Sequence, residues 1–289
     1  MTNPGRSENV LAHREAKSRA GEPPKIYSDQ YYERIRALED RHWWYVGMRE
    51  ISAALLGSEP TMDMRPRVLD AGCGTGAAMT WARAAAAAGS VTGIDVSAYA
   101  LAFCRGRGER ALCQSSVIEL PFRDAAFDLV LCNDVLQHLP IDGGDVAALK
   151  EMHRVLRPGG LLLIRTNSRL GVLSGVAEAD SDFQRYRLDA VVQRMQSAGF
   201  VVSRASYVNA LPSLYASLKA RLYRPRAPAH AHHHTAAYQG LGIREGAMNR
   251  RWLNRLLTWV LGLEARYLSR GNRRLGFGHT IVSLGLKPR

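Results

Sequence analysis

The 289-residue chain is 46% hydrophobic and carries 39 Lys or Arg against 26 Asp or Glu, a formal net charge of +13. That apolar content can bury a sizeable core, and the length suits one enlarged α/β domain. Four cysteines (Cys73, Cys104, Cys113 and Cys132) lack the paired spacing of a zinc site or a secreted disulfide scaffold, so free thiols and no bound metal are expected.

Residues 1–25 are polar and charged with no apolar signal core, and are expected to form a disordered tail. No apolar run reaches the roughly 18–20 residues that cross a bilayer. A cytoplasmic protein, or one peripheral at a membrane, is the expectation. After Glu22-Pro23-Pro24, Ser28 and Asp29 can cap a helix through Tyr31, Tyr32, Ile35 and Leu38. The aromatic segment Arg41–Arg49 follows, then a helix with Ile51, Leu55 and Leu56 on one side.

Arg67-Val68-Leu69-Asp70-Ala71-Gly72-Cys73-Gly74-Thr75-Gly76 runs an apolar strand into an acid and then three alternating glycines, before a helix from Ala77. Glycines there let the backbone bend tightly and lie against a ligand. A strand-to-helix junction is also where open α/β sheets bind nucleotide-like molecules. The spacing G-x-G-x-G is not the dinucleotide fingerprint G-x-G-x-x-G, which argues against NAD; a plain tight turn is the alternative. Val91-Thr92-Gly93-Ile94-Asp95 is a second strand, ending in a carboxylate placed either to accept both ribose hydroxyls or to cap the next helix. Strands at 110–114, 127–132 and 161–166 and helices at 97–106 and 144–156 continue the alternation. A helix over 189–199 feeds a strand near 200–208, and Thr280–Leu286 is the last strand. Such alternation makes a mostly parallel sheet with helices on both faces.

Four ordered segments carry a family resemblance: the glycine loop, the strand ending at Asp95, Glu119-Leu120-Pro121-Phe122 leading to Phe127–Leu139, and Glu151–Gly160 leading to Leu161–Arg165. Together they resemble the class I S-adenosylmethionine-dependent methyltransferases, in the branch that includes ubiquinone and menaquinone biosynthesis enzymes. The resemblance covers about a third of the chain. It implies a Rossmann-like sheet, mostly parallel with an antiparallel last strand, whose final two strands form a hairpin. Here a long stretch separates those strands, so a helical insertion is expected. The expected organisation is a tail (1–25), an N-terminal helical cap or lid (26–62), a cofactor-binding core (63–208), a basic helical insertion (209–277) and the last strand (278–289).

The resemblance implies S-adenosylmethionine as cofactor. Backbone groups at Gly72, Cys73, Gly74 and Gly76 would approach its amino-acid tail and ribose. Asp70 would attract the ammonium or brace the loop, Asp95 would take the ribose hydroxyls, and Val96 would lie on the adenine. Where the family has an acid near the adenine amino group this chain has Ser116, followed by Val117; a hydroxyl is the weaker acceptor. Asn133 would lie beneath the methionine moiety. His138 is either a base near the methyl group or a brace for its own helix. Trp43 and Trp44 are either lid residues that shield the sulfonium by cation–π contact or packing residues of the cap. Arg49 would pair with the methionine carboxylate, and Trp44 is also a substrate candidate.

The charge is uneven. From Arg204 onward there are fifteen Lys or Arg against two acids, Glu245 and Glu264, while the first 203 residues balance. Within Trp252–Leu268, Leu253, Leu256, Leu257, Val260, Leu261 and Leu268 recur at helical spacing, with Arg251, Arg255, Arg266 and Arg270 largely elsewhere. The helix is either a cap packed on the core or a surface helix that meets an anionic membrane or lipid-linked substrate. Glu264 falls on the stripe, which is costly unless paired, and is a candidate substrate contact. His230, His232, His233 and His234 read as a loop or an adventitious metal cluster.

The expected activity is methyl transfer to an oxygen or carbon, rather than a nitrogen, of a small-molecule or lipid-like acceptor. A nucleic-acid methyltransferase is the alternative that the basic third raises, but no Asn/Asp-Pro-Pro-Tyr-like run or RNA-binding module accompanies it. A non-catalytic cofactor-binding protein is the third reading, favoured only by Ser116.

Overall fold

The computed structural model describes residues 29–57, 59, 65–85, 88–169, 184–222 and 250–289. The expected tail at 1–25, the Ser28 cap and the histidine cluster at 230–234 lie outside the described residues.

Two helices open the described chain, α1 (Asp29–Leu38) and α2 (Trp43–Leu56). The aromatic segment does not precede the second helix; it starts it. His42 is extended, and its imidazole accepts the Trp44 amide at 3.3 Å, satisfying an otherwise orphaned donor of the first turn.

The core then alternates β1 (Arg67–Ala71), α3 (Ala77–Ala85), β2 (Ser90–Asp95), α4 (Ala98–Gly106), β3 (Leu112–Gln114), β4 (Phe127–Asn133), α5 (Gly144–Val155), β5 (Leu156–Asn167), α6 (Leu188–Ser197) and β6 (Val201–Val208). The insertion contributes α7 (Ala210–Leu222) and α8 (Arg251–Leu268), and β7 (Thr280–Leu286) ends the sheet. Strand order is β3-β2-β1-β4-β5-β7-β6. β1 pairs parallel with β2 and β4, and β4 with β5, while β7 slots antiparallel between β5 and β6. The ligand-binding crevice of such a sheet lies at the carboxyl ends of the parallel strands, where the order reverses beside β1.

Alternation along each strand builds two cores. Leu69 of β1 and Leu162 and Ile164 of β5 face α5 and α6, packing with Leu149, Met152, Val191 and Met195. Val68, Leu161 and Leu163 face the other way, against Trp43, Met48, Ile51, Met79 and Leu261. Each fully buried Leu or Ile contributes about 1.5–3 kcal/mol.

α8 lies along α2 in that second core. A Cβ at Gly47 would overlap the Leu261 side chain, so the glycine sets how closely the helices approach. Asn254 accepts the Trp43 amide at 2.8 Å and donates to Arg41 O at 3.0 Å, fastening α8 to the start of α2. The C-terminal insertion and the N-terminal cap thus support each other on one face.

Candidate functional site

Gly72, Gly74 and Gly76 have φ of 86°, 52° and 90°, a region that side chains with a Cβ rarely enter. The Gly72 and Cys73 amides both donate to Ile94 O, at 2.9 and 2.8 Å, stitching the loop to the end of β2. At Gly72 a Cβ would also strike Val135, which follows β4. Asp95 completes the arrangement: one carboxylate oxygen accepts the Gly74 amide at 2.9 Å and the other the Ser97 amide at 2.9 Å. Ser97 itself caps α4, its hydroxyl accepting the Ala100 amide at 3.2 Å. The helix cap that is the alternative role for Asp95 is therefore supplied by Ser97, while Asp95 holds the loop from the end of β2.

Asp70 is 1% exposed at the mouth of β1, and neither carboxylate oxygen has a hydrogen-bond partner among the described residues. Burial, reinforced by Asp95, pushes its pKa up to about 7, against the opposing pull of Arg165. An unpaired carboxyl in so dry a place is the electrostatic complement of a cation. At the next strand end, Asn133 Oδ1 is also buried without a partner among the described residues.

Beyond Asn133 the chain turns at Asp134, whose φ of 57° an aspartate tolerates. Asp134 pairs with Arg165 of β5 at 2.6 Å, and the Arg165 guanidinium lies 4.9 Å from the Trp44 ring centre. Trp44 also meets Tyr45 edge-on at 5.0 Å and buries its indole nitrogen with no hydrogen-bond partner among the described residues. A single 3-10 turn, Leu136–His138, follows. Gln137 ties it to the end of β5 by accepting Thr166 Oγ1 and the Asn167 amide, at 3.2 and 2.9 Å. His138 is half-buried at the end of this turn, with its amide on Val135 O at 2.9 Å.

A family model for a methyltransferase domain matches residues 69–164, the span from the glycine-loop strand to β5. A protein of Encephalitozoon cuniculi named as a methyltransferase is 31% identical over 154 residues, 47% of this chain and 70% of that protein. The chain belongs to the class I S-adenosylmethionine-dependent methyltransferases. A Staphylococcus aureus demethylmenaquinone methyltransferase is 36% identical over 110 residues, 36% of this chain and 44% of that enzyme. In fold, the methyltransferase is similar to Haemonchus contortus phosphoethanolamine N-methyltransferase 2, solved with S-adenosylhomocysteine and phosphomonomethylethanolamine. The TM-score is 0.55 at 19% identity, covering 92% of this chain and 58% of that one.

S-adenosylmethionine is the cofactor of this methyltransferase, and the residues present fit it. The Asp70 carboxyl, unpartnered among the described residues, suits the ammonium, the glycine cradle admits a tail that a Cβ would exclude, and Asn133 offers an amide oxygen that no described residue uses. Val96 and Ser116 are half-buried near the edge strand, and Ser116 Oγ takes only a long contact from the Ile118 amide at 3.4 Å. Val117 is buried with Ile94 in the α5–α6 core, so its side chain packs where its backbone passes the site.

The structure overturns the expected roles of Trp43 and Glu264 and gives Arg49 a structural contact. Trp43 is 2% exposed within the α2–α8 core, so it is a packing residue; its neighbour Trp44 is half-buried, packed on the edge of the same core with Arg165 over its ring. Arg49 donates through one guanidinium nitrogen to Glu39 O at 2.7 Å, which braces the α1–α2 junction. Glu264 is buried and accepts the Asn209, Ala210 and Leu211 amides at 2.6, 2.9 and 3.4 Å, capping α7 from the side. Its burial is thereby explained without a substrate.

Four residues at the site are not among those expected there. Tyr32 of α1 is buried close enough to Asp95 for burial and the carboxylate together to raise its phenol pKa. Glu39 accepts Thr75 Oγ1 and Arg107, both at 2.5 Å, and Arg107 reaches Thr75 O at 2.8 Å. Through these contacts α1 closes over the glycine loop.

Proposed function

We propose that this methyltransferase acts on an oxygen or carbon of a small-molecule or lipid-like acceptor. Bound S-adenosylmethionine supplies an electrophilic methyl group on a sulfonium sulfur. Asp70 holds the ammonium, Gly72–Gly76 and Asn133 the rest of the amino-acid tail, and Asp95 the ribose. Val96, Ser116 and the Val117 backbone meet the adenine. The observation that carries this placement is the buried Asp70 carboxyl with both oxygens unpartnered among the described residues.

The acceptor enters between Trp44 and the turn at His138. Trp44, fixed by Arg165, excludes water from the reacting centre, and alignment in a dry site does most of what such a displacement needs. His138 takes the proton from an oxygen or carbon nucleophile. The basic C-terminal third brings the protein to an anionic membrane and favours an acceptor with a hydrocarbon chain.

Incubation with methyl-labelled cofactor and fractionated cell extract tests the reading. Label should enter the organic phase or a small aqueous product. Label in nucleic acid, or none in any fraction despite cofactor binding, would overturn it.

A further inference from the structure

Helix α8 has three faces. One is buried through Leu261, Glu264, Ala265 and Leu268. A second is apolar and outward: Trp252, Leu256, Trp259, Leu263 and Tyr267 are 63, 46, 56, 38 and 40% exposed. Their spacing of four, three, four and four residues aligns them in one stripe. Singly exposed apolar residues need no explanation, but an aligned stripe with two tryptophans and a tyrosine marks an interaction surface. A third face carries Arg251, Arg255 and Arg266, all exposed, and Arg273 from the following loop lies 5.0 Å over the Tyr267 ring.

α7 adds to this surface. Leu211, Leu214, Tyr215 and Leu218 recur at helical spacing and are 54, 54, 68 and 55% exposed. Glu264 binds the first turn of α7 to the middle of α8, so the second stripe begins beside the first. From residue 250 to the C-terminus Glu264 is the sole acid, and it is buried under three amides.

We propose that the outward face of α7 and α8 docks on an anionic lipid bilayer. Among the described residues no helix is long and apolar enough to cross a membrane. An apolar, tryptophan-bearing stripe flanked by arginines lies in the interface plane instead, with rings at head-group depth and guanidinium groups on lipid phosphates. The charge selects the occupant. A second copy docking through the same patch would bring the arginine flanks together; Glu50 of α2, beside Gly262, offsets Arg266 but lies roughly two turns along the helix from Arg255 and further from Arg251. The inference deepens the lipid-side reading of the acceptor and rests on it for its purpose, though docking itself requires no turnover.

Flotation of the full chain with vesicles of equimolar phosphatidylglycerol and phosphatidylcholine, and of phosphatidylcholine alone, tests the surface. Binding should appear on the anionic vesicles and fall steeply with salt. Trp252→Ser with Trp259→Ser, and separately Arg251→Glu with Arg255→Glu, should each weaken partitioning more than tenfold. Both variants alter exposed side chains and should keep the wild-type melting temperature and affinity for S-adenosylhomocysteine. Equal binding to both vesicles, binding to neither, or a dimer in light scattering that the tryptophan variant abolishes would each overturn the proposal. Vesicle binding without S-adenosylhomocysteine binding would uphold the surface and sink the methyltransferase site.

Discussion

The Gly74 amide donates to the Asp95 carboxylate across 2.9 Å, so the end of β2 holds the glycine loop in shape. The same carboxylate fixes the Ser97 amide, which joins strand, loop and the start of α4 at one point, with Tyr32 of α1 buried nearby. A ligand therefore meets a loop that is already formed, and little of its binding energy goes into ordering the backbone.

The first prediction concerns pH. The Asp70 carboxyl in the folded protein ionises near 7, raised from 3.8 by burial and by Asp95. With a raised folded pKa the folded state binds the extra proton. Its stability is therefore fully present below about pH 4 and declines as pH climbs towards 7, at about 1.4 kcal/mol per unit. Asp70→Asn should stabilise the ligand-free protein at pH 8 by roughly 2–4 kcal/mol and weaken S-adenosylhomocysteine binding. Wild-type affinity should rise from pH 5 to 7, while the Asn variant shows little dependence. Parallel profiles in thermal melts and calorimetry for the two proteins would contradict the assignment.

Adjacent tryptophans should behave differently. Trp43→Ala empties a core position, at about 3–5 kcal/mol of stability, with Trp43→Phe a smaller loss in the same direction. Trp44→Ala should cost less, about 1–2 kcal/mol, because the ring is only half-buried, and should raise the KM for the acceptor. Equal melting temperatures for the two alanine variants would refute the division.

That division marks where the sequence stops being legible. The seven-strand sheet could be read from apolar runs alternating with helical periods, and Asp70, the glycines and Asp95 from their places at strand ends. Neighbouring residues on a helix point about 100° apart, and only packing decides whether Trp43 or Trp44 faces inward. α8 misled for a related reason. It carries two apolar stripes, so Leu256 grouped by period with Leu261 although one is exposed and the other buried. Glu264 looked like a stray carboxylate because the amides it binds lie some 55 residues earlier in the chain. Tyr32 and Glu39 reach the site only through the docking of α1, a tertiary fact that no local pattern encodes.

Glu264 should matter for stability and not for turnover. Glu264→Ala strips the buried Asn209 and Ala210 amides of their acceptor and should cost about 1–3 kcal/mol. Glu264→Gln retains a carbonyl oxygen and should cost less. Urea denaturation combined with initial rates separates the roles: a folded Gln variant with wild-type stability and lost turnover would restore the carboxylate to the substrate.

The site as a whole stands or falls on Asp95. Titration calorimetry of S-adenosylhomocysteine into the wild-type chain and into Asp95→Asn is the most direct measurement. Charge-assisted bonds to the ribose are worth about 1.5–3 kcal/mol, so wild type should bind and the variant should bind at least tenfold more weakly while remaining folded by circular dichroism. No heat of binding in the wild-type protein, or undiminished affinity in a folded Asp95→Asn protein, would contradict the account.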